Sequence, residues 1–98
     1  VIHTPGHSVD SICLVGDGNI FSGDTLFVGN CGRIDLPGGS ASKLYHSLFD
    51  VLHSLDDDLV LYPGHNYGPT EVSTMGKEKM TNMIMQKRTE QQFLDMMG

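Results

Sequence analysis

The chain has 98 residues, with six Lys+Arg against twelve Asp+Glu and a formal net charge of −6. That length allows one domain, which buries about 60–65% of the surface its unfolded form exposes; with 39% hydrophobic and 18% charged residues the chain is neither disordered nor fibrous. The acidic balance argues against a phosphate-backbone binder, so no nucleic-acid partner is expected, and no stretch approaches the ~20 apolar residues of a membrane span, so no membrane partner is expected either.

The chain opens at Val1, and its first motif begins only two residues later, where free ends are usually loose. It therefore reads as a piece of a longer protein. Residues 1–3 run into the turn signal Thr4-Pro5-Gly6. Ser11 to Val15 reads as a short buried strand, Gly16-Asp17-Gly18-Asn19 as a hairpin turn, and Asn19 to Ser22 as its partner strand. Residues 25–28 are apolar, and 29–39 form a glycine-rich loop of a length that is usually functional. Ser40 or Ser42 can cap a helix whose stripe is Leu44, Leu48, Val51, Leu52 and Leu55. The run Asp56-Asp57-Asp58 opposes the helix dipole and ends it. Leu59 to Tyr62 is a strand stopped by Pro63-Gly64, Ser73 opens a short helix to about Asn82, and Thr89 to Gln92 forms a capping box before a last helix with Phe93, Leu94 and Met97. The order gives an α/β fold, a small β-sheet covered by helices.

The two cysteines, Cys13 and Cys31, are too few for a disulfide framework. A reduced, cytoplasmic location is the expectation. Among five histidines, His46 and His53 fall opposite the leucine stripe and read as solvated surface residues, and His3 reads as structural. His7 and His65 differ: each follows a Pro-Gly directly, at what reads as a strand end. Asp24 stands in the same setting after Ile20-Phe21-Ser22-Gly23. Ligands of α/β sheets bind at such ends, and two imidazoles with a carboxylate suit zinc, iron or manganese. From spacing alone each of the three fits a structural role equally well, as a turn aspartate or a capped histidine.

Thr4-Pro5-Gly6-His7-Ser8, Phe21-Ser22-Gly23-Asp24-Thr25-Leu26-Phe27, Cys31-Gly32-Arg33 and Tyr62-Pro63-Gly64-His65 together resemble the later metal motifs of the metallo-β-lactamase superfamily. The branches they look like most are the glyoxalase II type thioester hydrolases and the persulfide dioxygenases. The resemblance covers residues 1 to about 82. It implies the C-terminal half of an αββα sandwich, so that residues 1–98 form a single partial domain. It implies that His7, Asp24 and His65 are metal ligands, with Asp24 also the catalytic carboxylate that bridges two ions where two are present. It implies that Arg33 meets an anionic part of the substrate, such as a glutathione carboxylate, and that Cys31 lines the substrate site. For Arg33 a local pair with Asp35 stays open, and for Cys31 a buried apolar role.

The implied activity is metal-dependent hydrolysis of a glutathione-type thioester once the other half is present, with zinc as the first choice of metal, one ion or two. The alternative is a persulfide dioxygenase with iron. The partner implied is a small-molecule thiol or thioester. The sequence departs from the family in lacking its first motif, His-x-His-x-Asp-His, and in following Asn82 with Met83 where those branches often have Asn-Pro. Half a sandwich leaves one sheet face uncovered, so self-association is expected of the chain alone, which would then be a non-catalytic fragment.

Overall fold

The computed structural model describes residues 1–35, 37–64 and 72–97. Among the described residues there are seven strands, β1 (Ile2–His3), β2 (Ile12–Gly16), β3 (Asn19–Gly23), β4 (Leu26–Phe27), β5 (Asn30–Cys31), β6 (Val60–Pro63) and β7 (Ser73–Thr74), and three α-helices, α1 (Ala41–His46) between β5 and β6, then α2 (Met75–Thr81) and α3 (Glu90–Met97) after β7. Five strands form one sheet in the order β1-β2-β3-β6-β7, and β4 and β5 pair as a separate ribbon. β2 and β3 are an antiparallel hairpin. Its turn carries positive φ at Asp17 (52°) and Gly18 (78°), the combination that matches the twist of two-residue hairpins. β6 runs parallel to β3, with Ile20 opposite Leu61 and Phe21 opposite Tyr62. A parallel neighbour requires a crossover, and the α1 segment supplies it.

One face of the sheet is packed. Cys13, Ile20 and Leu61 join Leu44, Leu48, Leu52, Met75, Met85 and Phe93 in a core that water does not reach. The other face is open. Ile12, Leu14, Phe21 and Tyr62 are each 39–48% exposed, and the Phe21 and Tyr62 rings stack across the parallel pair with centroids 5.2 Å apart. β2 was expected to be buried, but only Cys13 of it is. Four successive apolar residues, Ile12 to Val15, hide the period-2 alternation that would have separated its two faces.

Three further details differ from the sequence reading. The loop 29–39 begins with the β4–β5 ribbon, closed on Gly29 at φ 83°. The expected long helix is α1 followed by a wider π turn over Ser47–Val51 and a 3-10 turn over Leu52–Ser54, which still buries Leu48 and Leu52. Ser73 is in a strand, and Thr74 caps α2 through its hydroxyl, which accepts from the Lys77 amide. The expected caps at Ser40 and Thr89 are present: Ser40 Oγ accepts from Lys43 N at 3.2 Å, and Thr89 and Gln92 exchange side-chain and backbone bonds at 3.2 and 2.9 Å.

Candidate metal centre

The centre lies at the C-terminal ends of the parallel pair β3 and β6. β3 ends in Gly23, whose carbonyl accepts the Gly64 amide at 2.8 Å, so the two strand ends are fastened side by side. Asp24 leaves β3 directly. His7 arrives from the turn that follows β1. That turn is seated on α1, since Gly6 O accepts the Ser40 amide at 2.7 Å and a side chain at Gly6 would collide with Leu44 Cβ, 2.4 Å from an ideal Cβ position.

His7 Nε2 and Asp24 Oδ2 stand 3.5 Å apart, with side chains 22% and 36% exposed. The other ring nitrogen, Nδ1, is 2.6 Å from the backbone carbonyl of Arg33. A carbonyl only accepts, so Nδ1 carries a proton, and Nε2 is the nitrogen that faces the carboxylate. An imidazole nitrogen and a carboxylate oxygen so placed are two groups that could serve as ligands of one cation. Ligands held by bonds of about 2.0–2.2 Å in a tetrahedral array stand roughly 3.4 Å apart, so the observed separation fits. The carbonyl bond is the outer contact that fixes a ligating imidazole in its tautomer.

Gly32 is what lets these groups meet. A Cβ there would lie 1.8 Å from the Asp24 carbonyl oxygen and 3.2 Å from His7 Cβ, so the chain passes against the Asp24 backbone and the His7 side chain because it carries no side chain itself. Of the expected set, His7 and Asp24 are thus brought together, and His65 lies outside the described residues. Among the described residues, no cluster of three His, Cys, Asp or Glu is close enough to hold a metal ion.

The Arg33 guanidinium is turned outward and holds Asp35 with two bonds of 2.6 and 2.9 Å, both side chains more than 60% exposed. Hydrogen bonding to Asp35 raises the guanidinium pKa further, and the same contact lowers that of the Asp35 carboxyl. It is the main chain of Arg33, not its side chain, that touches His7. Cys31 is 7% exposed in the core cluster, and burial pushes its thiol up to about 12. It offers no thiolate near neutral pH.

The other described histidines, His3, His46 and His53, each have partners. His3 Nε2 bonds the Val9 carbonyl at 2.8 Å. His46 joins Asp50 and Glu90 at 2.6 and 3.1 Å on the surface. His53, expected to be solvated, instead donates to the Met85 carbonyl at 2.7 Å and stacks on Phe49. The C-terminal segment folds back over the helix and covers it. No helix among the described residues is long and apolar enough to cross a membrane.

Comparisons with known proteins give the family. The hydroxyacylglutathione hydrolase of Tolumonas auensis is 42% identical over 91 residues, 93% of this chain and 34% of that protein. The human mitochondrial persulfide dioxygenase ETHE1 is 34% identical over 97 residues, 97% of this chain and 38% of that protein. The crystal structure of ETHE1 from Myxococcus xanthus superposes with a TM-score of 0.92 at 38% identity, covering 98% of this chain and 43% of that one. The chain thus spans about a third of the length of these curated relatives. The family model of the metallo-beta-lactamase superfamily matches residues 1–65, which contain the paired His7 and Asp24. The chain belongs to the metallo-beta-lactamase superfamily, a metal-dependent group that includes both hydrolases and dioxygenases.

Proposed function

We propose that this chain is the C-terminal half of a metal-dependent hydrolase acting on a glutathione-type thioester. The observation that carries the reading is the convergence of His7 Nε2 on Asp24 Oδ2 at 3.5 Å, with Nδ1 held by the Arg33 carbonyl. The likeness to a hydroxyacylglutathione hydrolase supports the substrate class. His7 and Asp24 would hold the metal, zinc by preference, and His65 would complete the set. A bound divalent cation supplies Lewis acidity, lowering the pKa of water toward about 7 and stabilising charge on a carbonyl oxygen.

The chain's own residues do the rest. His7 is held in one tautomer, so its Nε2 is a lone-pair donor without reorganisation. Asp24 can turn its second oxygen to accept a proton from the attacking water and so orient it. Arg33 holds Asp35 only at an exposed surface, where such pairs contribute little. Its fork can therefore exchange Asp35 for a substrate carboxylate. The open sheet face supports the partial-domain reading. Ile12, Leu14, Phe21 and Tyr62, each 39–48% exposed, stand side by side on neighbouring strands, an apolar surface of the kind that interaction sites present. A second sheet covers it in the assembled protein, and a second copy of the chain covers it when the chain is alone.

A second reading, an iron-dependent persulfide dioxygenase, is favoured by the near-complete superposition on the Myxococcus structure. One iron on a two-His-one-carboxylate face needs only two ligands from this half, and His7 with Asp24 are two. A graft separates the readings. This chain replaces the matching segment of the Tolumonas enzyme, and metal content and thioester hydrolysis are measured. Hydrolysis with two zinc-like ions supports the first reading; one iron with oxygen uptake on persulfide supports the second. A folded graft that binds neither metal contradicts both.

A further inference from the structure

The two arms of the β4–β5 ribbon both end in the metal centre. Asp24 lies two residues before Leu26, and Arg33 lies two residues after Cys31, the residue paired with Leu26. The closed end of the ribbon, residues 27–30, is gripped from α2. Glu78 is 1% exposed and Asn82 is wholly buried. Glu78 Oε1 accepts the Gly29 amide at 2.8 Å and Asn82 Nδ2 at 3.0 Å, while Oε2 accepts from Ser73 Oγ at 2.7 Å. Asn82 Nδ2 also donates to the carbonyls of Phe27 (3.3 Å) and Asn30 (3.2 Å), sharing its two hydrogens among three acceptors.

We propose that Glu78 and Asn82 are a positioning unit for His7: they anchor the ribbon at its turn so that its open end holds the Arg33 carbonyl against His7 Nδ1 and Asp24 against His7 Nε2. The proposal rests on the reading of His7 as a metal ligand. The path is short and stiff. Beyond Cys31, the Gly32 amide donates to Thr25 O at 3.4 Å across the ribbon, and Gly32 itself has no room to move toward Asp24. The next carbonyl is the one that takes the imidazole proton at 2.6 Å. The grip consists of hydrogen bonds to backbone, so it fixes where the ribbon lies and not merely what it is packed against. The donors around Glu78 are all neutral, which makes geometry, not charge pairing, the content of the contact.

The test uses the full 98-residue chain labelled with ¹⁵N in its histidines. The ring shifts of His7 are read at a pH where the ring is neutral, with and without added zinc chloride. The wild type is expected to show the Nδ1-protonated tautomer and a zinc-dependent shift at Nε2. Glu78→Ala is expected to give mixed tautomers and about 10–100-fold weaker zinc binding, the usual cost of losing an outer contact. Glu78→Gln is expected to restore both, since its amide oxygen accepts from Gly29 and Asn82 while its NH₂ donates to Ser73 Oγ. If Glu78→Ala fails to fold, Asn82→Ser replaces it, because serine can still cap the Ile84 amide that Asn82 Oδ1 now caps.

A purely structural role would lower the melting temperature of these variants and leave the His7 tautomer as in the wild type. That result overturns the proposal, as does a wild-type His7 protonated at Nε2 or a Glu78→Gln chain with mixed tautomers. A wild type with the expected tautomer and no zinc response at His7 contradicts the metal reading instead, so the two failures are distinguishable.

Discussion

Replacing Gly32 by alanine tests the geometry of the centre without touching a ligand. An ideal Cβ at this position lies 1.8 Å from the Asp24 carbonyl oxygen. Carbon and carbonyl oxygen come no closer than about 3.3 Å, so one of the two segments must retreat by roughly 1.5 Å. The obstacle is backbone, which cannot swing aside as a flexible side chain would. Overpacking of this kind costs about 1–3 kcal/mol, against a total stability of about 5–15 kcal/mol for a chain of this size. For a domain of this length each kcal/mol is worth about 4–8 °C in Tm. The control is Gly16→Ala: a Cβ there meets nothing within 4 Å, and the residue has no positive φ. It should be neutral or stabilising, by about 0.4–1 kcal/mol through the unfolded chain. Urea unfolding followed by circular dichroism gives both values on one scale. Gly32→Ala unfolding within 0.5 kcal/mol of the wild type (about the scatter of ordinary surface substitutions) would refute the claim that residue 32 is wedged between Asp24 and His7.

Other outcomes follow from the same structure. Phe21→Glu should convert a self-associating chain to a monomer in light scattering, because Phe21 is 48% exposed at the centre of the open sheet face; a wild-type chain that is already monomeric at micromolar concentration contradicts that surface. The hydrogen bond that His46 donates to Asp50, with Glu90 nearby, raises the pKa of His46. Its contribution to stability is therefore fully present below the unfolded value of about 6.5 and is lost as pH rises through the folded value. The Tm advantage of wild type over His46→Gln should be larger at about pH 5.5 than at about pH 8.5, and an unchanged gap would show that the ion pairs contribute nothing. Burial raises the pKa of both thiols, that of Cys31 to about 12, so neither should react with a disulfide reagent in the folded chain near neutral pH, and both should react in urea. Rapid labelling of native Cys31 would place it in the cleft.

Much of the fold could be read before the structure because local chemistry and tertiary structure agree there. Asp17-Gly18 supplies the positive φ its hairpin needs, and Ser40 and Thr89 cap helices in the expected way. The proximity of His7 and Asp24 was implied by the family resemblance, while the Pro-Gly and Ser-Gly-Asp signals alone left a structural role for each equally open. The tautomer lock was not, because the acceptor is a main-chain carbonyl and Arg33 could be any residue for that purpose. Glu78 carries no signal in the sequence; its burial depends on a ribbon almost fifty residues away, which no local window reports. His53 was misplaced for the same reason, since the Met85 carbonyl that binds it comes from a distant segment.

The central claim is that His7 and Asp24 form one edge of a cation site. Cobalt(II) added to the chain labelled uniformly with ¹⁵N tests it most directly, because paramagnetic shifts fall steeply with distance from the ion. The strongest effects are expected at His7, Asp24 and the adjoining Gly23 and Gly32, and should disappear in both His7→Ala and Asp24→Ala. Effects centred instead on the acidic run Asp56 to Asp58, and unchanged in those two variants, would contradict the account.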